Sequence, residues 1–263
     1  MAEDTVNERA AELVIEVTKA ERAPGRGRAP ALFGAAARSG ARAAGRGTRA
    51  ARRGMGLGTG WLAAQVVAMA PRLQVRDQAA LRAQFAGKSA DEIADALIEG
   101  AARASATVGG AIGAWAALPV PSAFPAQVAT ETLALVGIEI KLVAELHEAY
   151  GMPAAGNVVD RMTAYVAAWA HRSGVFLAPG GLILAAGSPL ARRLRRRLTA
   201  RAGKSVFSLS PLMSGAAAGV LVNRRETRRL GQHVRADLRR RAQTEDALVV
   251  GPLRATRSPR RRS

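Results

Sequence analysis

No cysteine occurs among the 263 residues, which excludes disulfides, thiolate nucleophiles and cysteine metal ligands. Aromatic residues make up only 4% of the chain. A core built here has to come from small aliphatic side chains that each remove little apolar area from water, so it needs close helix packing. Lysine is scarce as well, standing only at positions 19, 88, 141 and 204. The three histidines, His147, His171 and His233, lie far apart and have no metal-ligand spacing. No metal or other cofactor is implied. The opening stretch MAEDTVNERAAELVIEVTKAER has early acids and no apolar signal core, so the expected location is the cytoplasm, or peripherally the inner face of the cell membrane.

What the chain has in excess is arginine. There are 39 basic residues against 20 acidic ones, a formal charge of +19, and a charge of that size favours contact with a polyanion. A GC-rich coding background also enriches Arg, Ala and Gly together and is the other reading of the excess; the clustering of the charge is harder to attribute to it. Nine arginines and no acid stand between Arg22 and Arg53, interspersed with glycines, Pro24 and Pro30. Such a stretch cannot bury enough apolar surface to offset its ordering entropy and reads as a basic linker. Ahead of it, residues 4–22 pattern as a short amphipathic helix with Ala10, Leu13, Val14 and Val17 on one side.

The glycines of GMGLGTG at 54–60 resemble a phosphate-cradling loop only superficially, because no Lys-Ser/Thr follows at the required spacing. The triplet Gly87-Lys88-Ser89 lacks a glycine-rich turn before it. Ser89 is better read as a helix N-cap, with Glu92 closing a capping box. Between them WLAAQVVAMA supplies a short helix cut by Pro71.

The centre of the chain, residues 89–150, reads as a helical pair interrupted by Pro119, Pro121 and Pro125. Three uncharged stretches, 104–130, 173–191 and 205–223, are each broken by proline or glycine. They fit buried core helices better than membrane spans, and shallow or hairpin insertion is the other reading. Gly109 and Gly113 stand four apart, as do Gly215 and Gly219, a spacing that lets a neighbouring helix backbone approach closely. In the helix over 126–150, Glu139 falls within the apolar stripe of Leu135, Leu142 and Leu146, whereas Glu131, Glu145 and Glu148 can face outward. A carboxylate on an apolar face is costly unless paired. Three readings stay open for it: a boundary residue, an ion pair with Arg103, a C-terminal arginine or Lys141 of a second copy, or a functional carboxylate in an inter-helix pocket. Tyr165 and Trp169, four apart, read as a packed ridge.

The C-terminal third is a second basic block. Arg192, Arg193, Arg195, Arg196, Arg197 and Arg201 form one run, followed by Arg224, Arg225, Arg228, Arg229, Arg235, Arg239 and Arg240. Dense charge beside uncharged segments is the geometry expected of a protein lying on anionic lipid. The same runs would grip a phosphodiester backbone without sequence preference. No zinc finger, RNA-binding aromatic motif or helix-turn-helix is present to read bases.

The stretch from Ser89 to Gly151, with its LPVP turn and TLALVGIEIKLVAELHEAYG helix, resembles the EcsC family. So does PLMSGAAAGVLVNRRETRRLGQHVRADL, where Pro211, Gly215, Gly219 and Asn223 match a glycine-rich run ending in asparagine. The resemblance covers roughly residues 85–240. It implies a bacterial all-helical domain without an established enzymatic activity, named from a gene neighbourhood that includes an ABC transporter, and hence proximity to a membrane. The arginine runs at 22–53 and 192–201 depart from the family pattern.

Together these readings predict an all-α fold: a short helix over 1–22, an Arg/Gly-rich disordered linker over 23–54, a helical bundle over 55–242 and a disordered basic tail over 243–263. The expected function is non-enzymatic, membrane-peripheral or protein-interacting. The expected partner is an anionic membrane surface or a membrane protein, contacted through the arginine clusters. The alternatives are non-specific nucleic-acid binding and an enzyme using Glu139.

Overall fold

The computed structural model describes residues 8, 10–15, 59–115, 124–173, 175–178, 181–184 and 212–255, with side-chain surroundings for 10–15, 64–109, 130–173 and 220–244 among them. The linker expected over 23–54 and the arginine run 192–201 lie outside the described residues. Helix α1 spans Thr59–Met69 and gives way to a 3-10 turn, Ala70–Arg72. Helices α2 (Gln78–Gln84), α3 (Ala90–Trp115), α4 (Phe124–Ala149) and α5 (Val158–Ser173) follow. An antiparallel hairpin, β1 (Val175–Ala178) and β2 (Gly181–Leu184), then precedes the long helix α6 (Leu212–Ala255).

Local chemistry sets the helix ends. Pro71 cannot donate a backbone hydrogen bond, and α1 stops before it. The capping box at the start of α3 is present: the Ser89 amide donates to Glu92 Oε2 at 2.8 Å, and the Glu92 amide returns a bond to Ser89 Oγ at 3.3 Å. Asp77 accepts from the Ala80 amide at the start of α2. Asn157 and Asp160 cap α5 reciprocally. Helix α4 ends at Gly151, whose φ of 70° suits a residue without a side chain. The amides of Gly151 and Met152 there satisfy the carbonyls of Glu148 and His147.

Helix α4 is the hub. It packs against α1, α2, α3, α5 and α6, and every residue from Thr130 to Leu146 is buried. The buried face of residues 10–15 also reaches it, with a Val14 methyl over Gly137. Helices α3 and α6 run antiparallel, since Ser105 lies beside Thr227 whereas Asp91 lies beside Arg235. Asn223, Thr227, Gly231, Val234 and Leu238 form the buried stripe of α6, the four-four-three-four spacing of one helix face. A methyl group on Gly231 would stand 2.7 Å from Ile98 Cγ1 and 3.2 Å from Leu142 Cδ2. Glycine at this position therefore lets α6 close on both α3 and α4.

The architecture is an all-α bundle with one attached hairpin. That hairpin corrects the reading of 173–191 as a core helix: Val175-Phe176-Leu177 and Leu182-Ile183-Leu184 flank Pro179-Gly180, and β-favouring runs around such a dipeptide favour paired strands over a helix. Strand β1 lies beside α5 and β2 beside α1. Helix α6, of 44 residues, extends about 66 Å and continues to Ala255, beyond 242 where the sequence pattern ends the bundle. Among the described residues, no helix is long and apolar enough to cross a membrane.

Candidate functional site

Glu139 sits at the meeting point of four helices and is 2% exposed. Trp169 of α5 donates its indole N–H to Oε2 at 2.9 Å, and Thr227 of α6 approaches Oε1 at 3.4 Å. The Thr227 hydroxyl is also 2.9 Å from that of Ser105 on α3. With the single Thr227 proton directed at the carboxylate, Ser105 becomes the donor in that second contact. Asn223 extends the chain of contacts to the Ser105 carbonyl. Glu139 thus ties α3, α4, α5 and α6 together. The arrangement holds a carboxylate among donors in the core and has the character of a structural network.

The neighbouring acids of α4 do not face outward as the helical pattern allows. Glu131, Glu145 and Glu148 are each 3% exposed, because α4 is enclosed on all sides and has no solvent face to offer them. Arg76 grips Glu145 through Nε at 2.8 Å and Nη2 at 2.5 Å, and Lys141 donates to Oε1 at 2.5 Å. Lys141 also donates to the Gln74 carbonyl. Lys141 is therefore a partner of Glu145 in its own chain. Burial pushes the Glu145 carboxyl up, but Arg76 and Lys141 outweigh it and hold the group below its ordinary range. Glu148 meets Arg161 and the Tyr165 hydroxyl, so Tyr165 and Trp169 of α5 each anchor a buried carboxylate of α4 as well as packing.

Acids at i, i+4 spacing on α3 face arginines at the same spacing on α6. Glu99 receives Arg224 and Arg228, and Arg103 stands 3.9 Å from it. Asp91 receives Arg235, Arg239 and the Tyr150 hydroxyl, while Asp95 receives Arg235. Arg240 and Arg172 share Asp237. The Tyr150 bond is the largest influence holding the Asp91 carboxyl low. Burial, with Asp91 as the next cause, pushes Tyr150 up to about 12.

The thirteen arginines assigned to an anionic surface thus divide into three sets. Arg192, Arg193, Arg195, Arg196, Arg197 and Arg201 lie outside the described residues. Arg224, Arg228, Arg235, Arg239 and Arg240 engage acids of α3 and α6. Arg225 and Arg229 are exposed on the face opposite the buried stripe. Gly109 is buried in α3, and Gly113, Gly215 and Gly219 lie in α3 and α6 with surroundings outside the described residues. Within the helices, Gly231 and Gly137 are glycines at which the structure does show a close approach by a neighbouring element. Among the described residues no group of three histidines or carboxylates stands close enough to hold a metal.

A cavity of about 340 Å³ opens between α2, α3 and α4. The Arg76–Lys141–Glu145 cluster, Gln84, Glu99 and Arg103 are its polar lining. The matched acidic and basic spacings of α3 and α6 were the available signal for this region. Arg76 carried none, because its partner is 69 residues away.

No protein-family model matches the chain, and no curated protein or solved structure matches it.

Proposed function

We propose that this chain is a non-enzymatic helical module that lies peripherally on an anionic membrane surface, with the outward ridge of α6 as the contact. The observation that carries this reading is the make-up of the ridge. Leu221, 65% exposed, is followed at four-residue intervals by exposed Arg225 and Arg229, and the same face continues through Gln232, Ala236 and Arg240. Arginines satisfied by acids would contribute little to a charged surface, but these two stand away from the acids that occupy Arg224 and Arg228. An exposed leucine among arginines suits a lipid headgroup layer, where the apolar tip enters and the guanidiniums stay at the phosphates. A phosphodiester backbone offers the leucine nothing.

The likeness to the EcsC family agrees with this role, and membership of that family is part of the proposal. So is a location on the inner face of the cell membrane. Flotation of the whole protein with vesicles of phosphatidylglycerol against vesicles of phosphatidylcholine tests it. Binding to the anionic vesicles alone, lost in an Arg225→Glu, Arg229→Glu double variant, is the expected result. Flotation with neither vesicle, together with a salt-sensitive shift of duplex DNA or RNA, would replace the membrane with a nucleic acid.

A further inference from the structure

The cavity between α2, α3 and α4 is lined mainly by hydrocarbon. Leu97, Ala104, Ile138 and Leu142 belong to that lining and are each no more than 5% exposed. Ala96 and Gly100, one turn apart on α3, line it too, and side chains this small leave the space open. The charged groups of the lining are already engaged within the protein. Glu145 holds Arg76 and Lys141, and Arg76 also donates to the Gln84 side-chain carbonyl. Glu99 holds Arg224 and Arg228 of α6, with Arg103 at 3.9 Å. A cationic ligand would meet carboxylates that already have cations, and an anionic one would meet cations that already have a carboxylate. Either would have to break an existing pair and give up its own hydration. An uncharged molecule does neither, and the apolar lining favours burial of its hydrocarbon surface. Volume narrows the class further. At about 340 Å³ the cavity is roughly twice the ~150 Å³ apolar cavity that takes one benzene ring, so it accommodates a body of two rings.

From this we infer that the cavity binds an uncharged, predominantly apolar molecule of two-ring size, seated against α3 and α4. The site is separate from the α6 ridge and is tested without lipid, so either reading can fail alone. The probe is 2-naphthol, uncharged at neutral pH and fluorescent, titrated into the whole protein. The same rings carry a negative charge in 2-naphthoate and a positive one in 2-naphthylmethylammonium. Saturable one-to-one binding of 2-naphthol is expected, with both charged probes about tenfold or more weaker. Gly100→Leu fills the space while favouring helix, and it is expected to weaken 2-naphthol by about the same factor. Should that variant fail to fold, Ala96→Leu makes the same test at a half-buried position on the same side of α3. A charged probe binding as tightly as 2-naphthol would show that a charge of the lining is free to receive it, and would overturn the proposal. So would the absence of saturable 2-naphthol binding to the unaltered protein, or full binding by a folded Gly100→Leu or Ala96→Leu variant, which would place the ligand elsewhere.

Discussion

Trp169 donates its indole N–H to Glu139 at 2.9 Å, with the two residues 1% and 2% exposed. The pair joins the face of α5 to the middle of α4, and Thr227 brings α6 to the same carboxylate. A buried acid that would be a liability in isolation is here the point at which the bundle is registered.

Replacement of Glu139 separates the loss of its charge from the loss of its acceptors. Glu139→Leu removes both oxygens and leaves the Trp169 indole without this acceptor, a cost of about 1–3 kcal/mol. Glu139→Gln keeps one carbonyl oxygen for the indole and is expected to lose less. Urea unfolding of the two variants side by side checks the order, and equal losses would show that the Trp169 bond contributes nothing.

Glu145 is held by two cations in the same buried cluster. Glu145→Ala leaves Arg76 and Lys141 facing each other without this carboxylate, and removal of one member of such a buried set costs about 3–5 kcal/mol. Substituting Arg240, which is exposed and bonded within one turn of its own helix, costs roughly 0–1 kcal/mol. A thermal melt in which both variants lose the same stability would contradict the burial difference.

Two glycines at close approaches predict different responses to alanine. At Gly231 the new methyl meets Ile98 Cγ1 at 2.7 Å, within the packed α3–α6 seam, and overpacking of this kind costs about 1–3 kcal/mol. At Gly137 the nearest atoms are side-chain methyls of Met69 and Val14 at 3.0 Å. The methionine can rotate aside there, and the helical preference for alanine, about 1 kcal/mol, offsets the crowding. Gly231→Ala is expected to lower the denaturant midpoint clearly more than Gly137→Ala.

Acid should weaken the fold in two stages. Burial is the main cause that pushes His147 below its usual 6.5; the bond to the Val143 carbonyl opposes this, and Arg241 and Arg172 add to it. A depressed folded-state pKa means that the unfolded chain takes up the proton first. Its stabilising contribution is therefore complete above 6.5 and is lost as pH falls through the folded value. Glu145 and Glu99 follow the same sign from their ordinary 4.5, as do Asp91 and Asp237 from 3.8, each being held low in the folded state. Melting temperatures measured between neutrality and strong acid are expected to show a shallow decline and then a steep one. His147→Gln should abolish only the first.

The capping box at Ser89 and Glu92, the stop at Pro71, the end of α4 at Gly151 and the placement of the helices over 89–150 and 158–171 are legible in the sequence because they depend on residues within one or two turns. The hairpin at 175–184 carries its own signal as well, in β-favouring residues around Pro179-Gly180, although the length of the uncharged run masks it. Exposure is a different matter. The helical pattern of α4 allows Glu145 and Glu148 to face solvent, yet five neighbouring helices enclose α4, and only that enclosure brings Arg76 and Arg161 to those acids. In the same way nothing local to α6 separates Arg224 and Arg228, which turn to Glu99, from Arg225 and Arg229, which stay exposed. Composition and local periodicity determined that the chain is a basic helical protein; the tertiary packing decided which charges are internal, because an ion pair forms with whatever the fold places alongside, however distant in sequence.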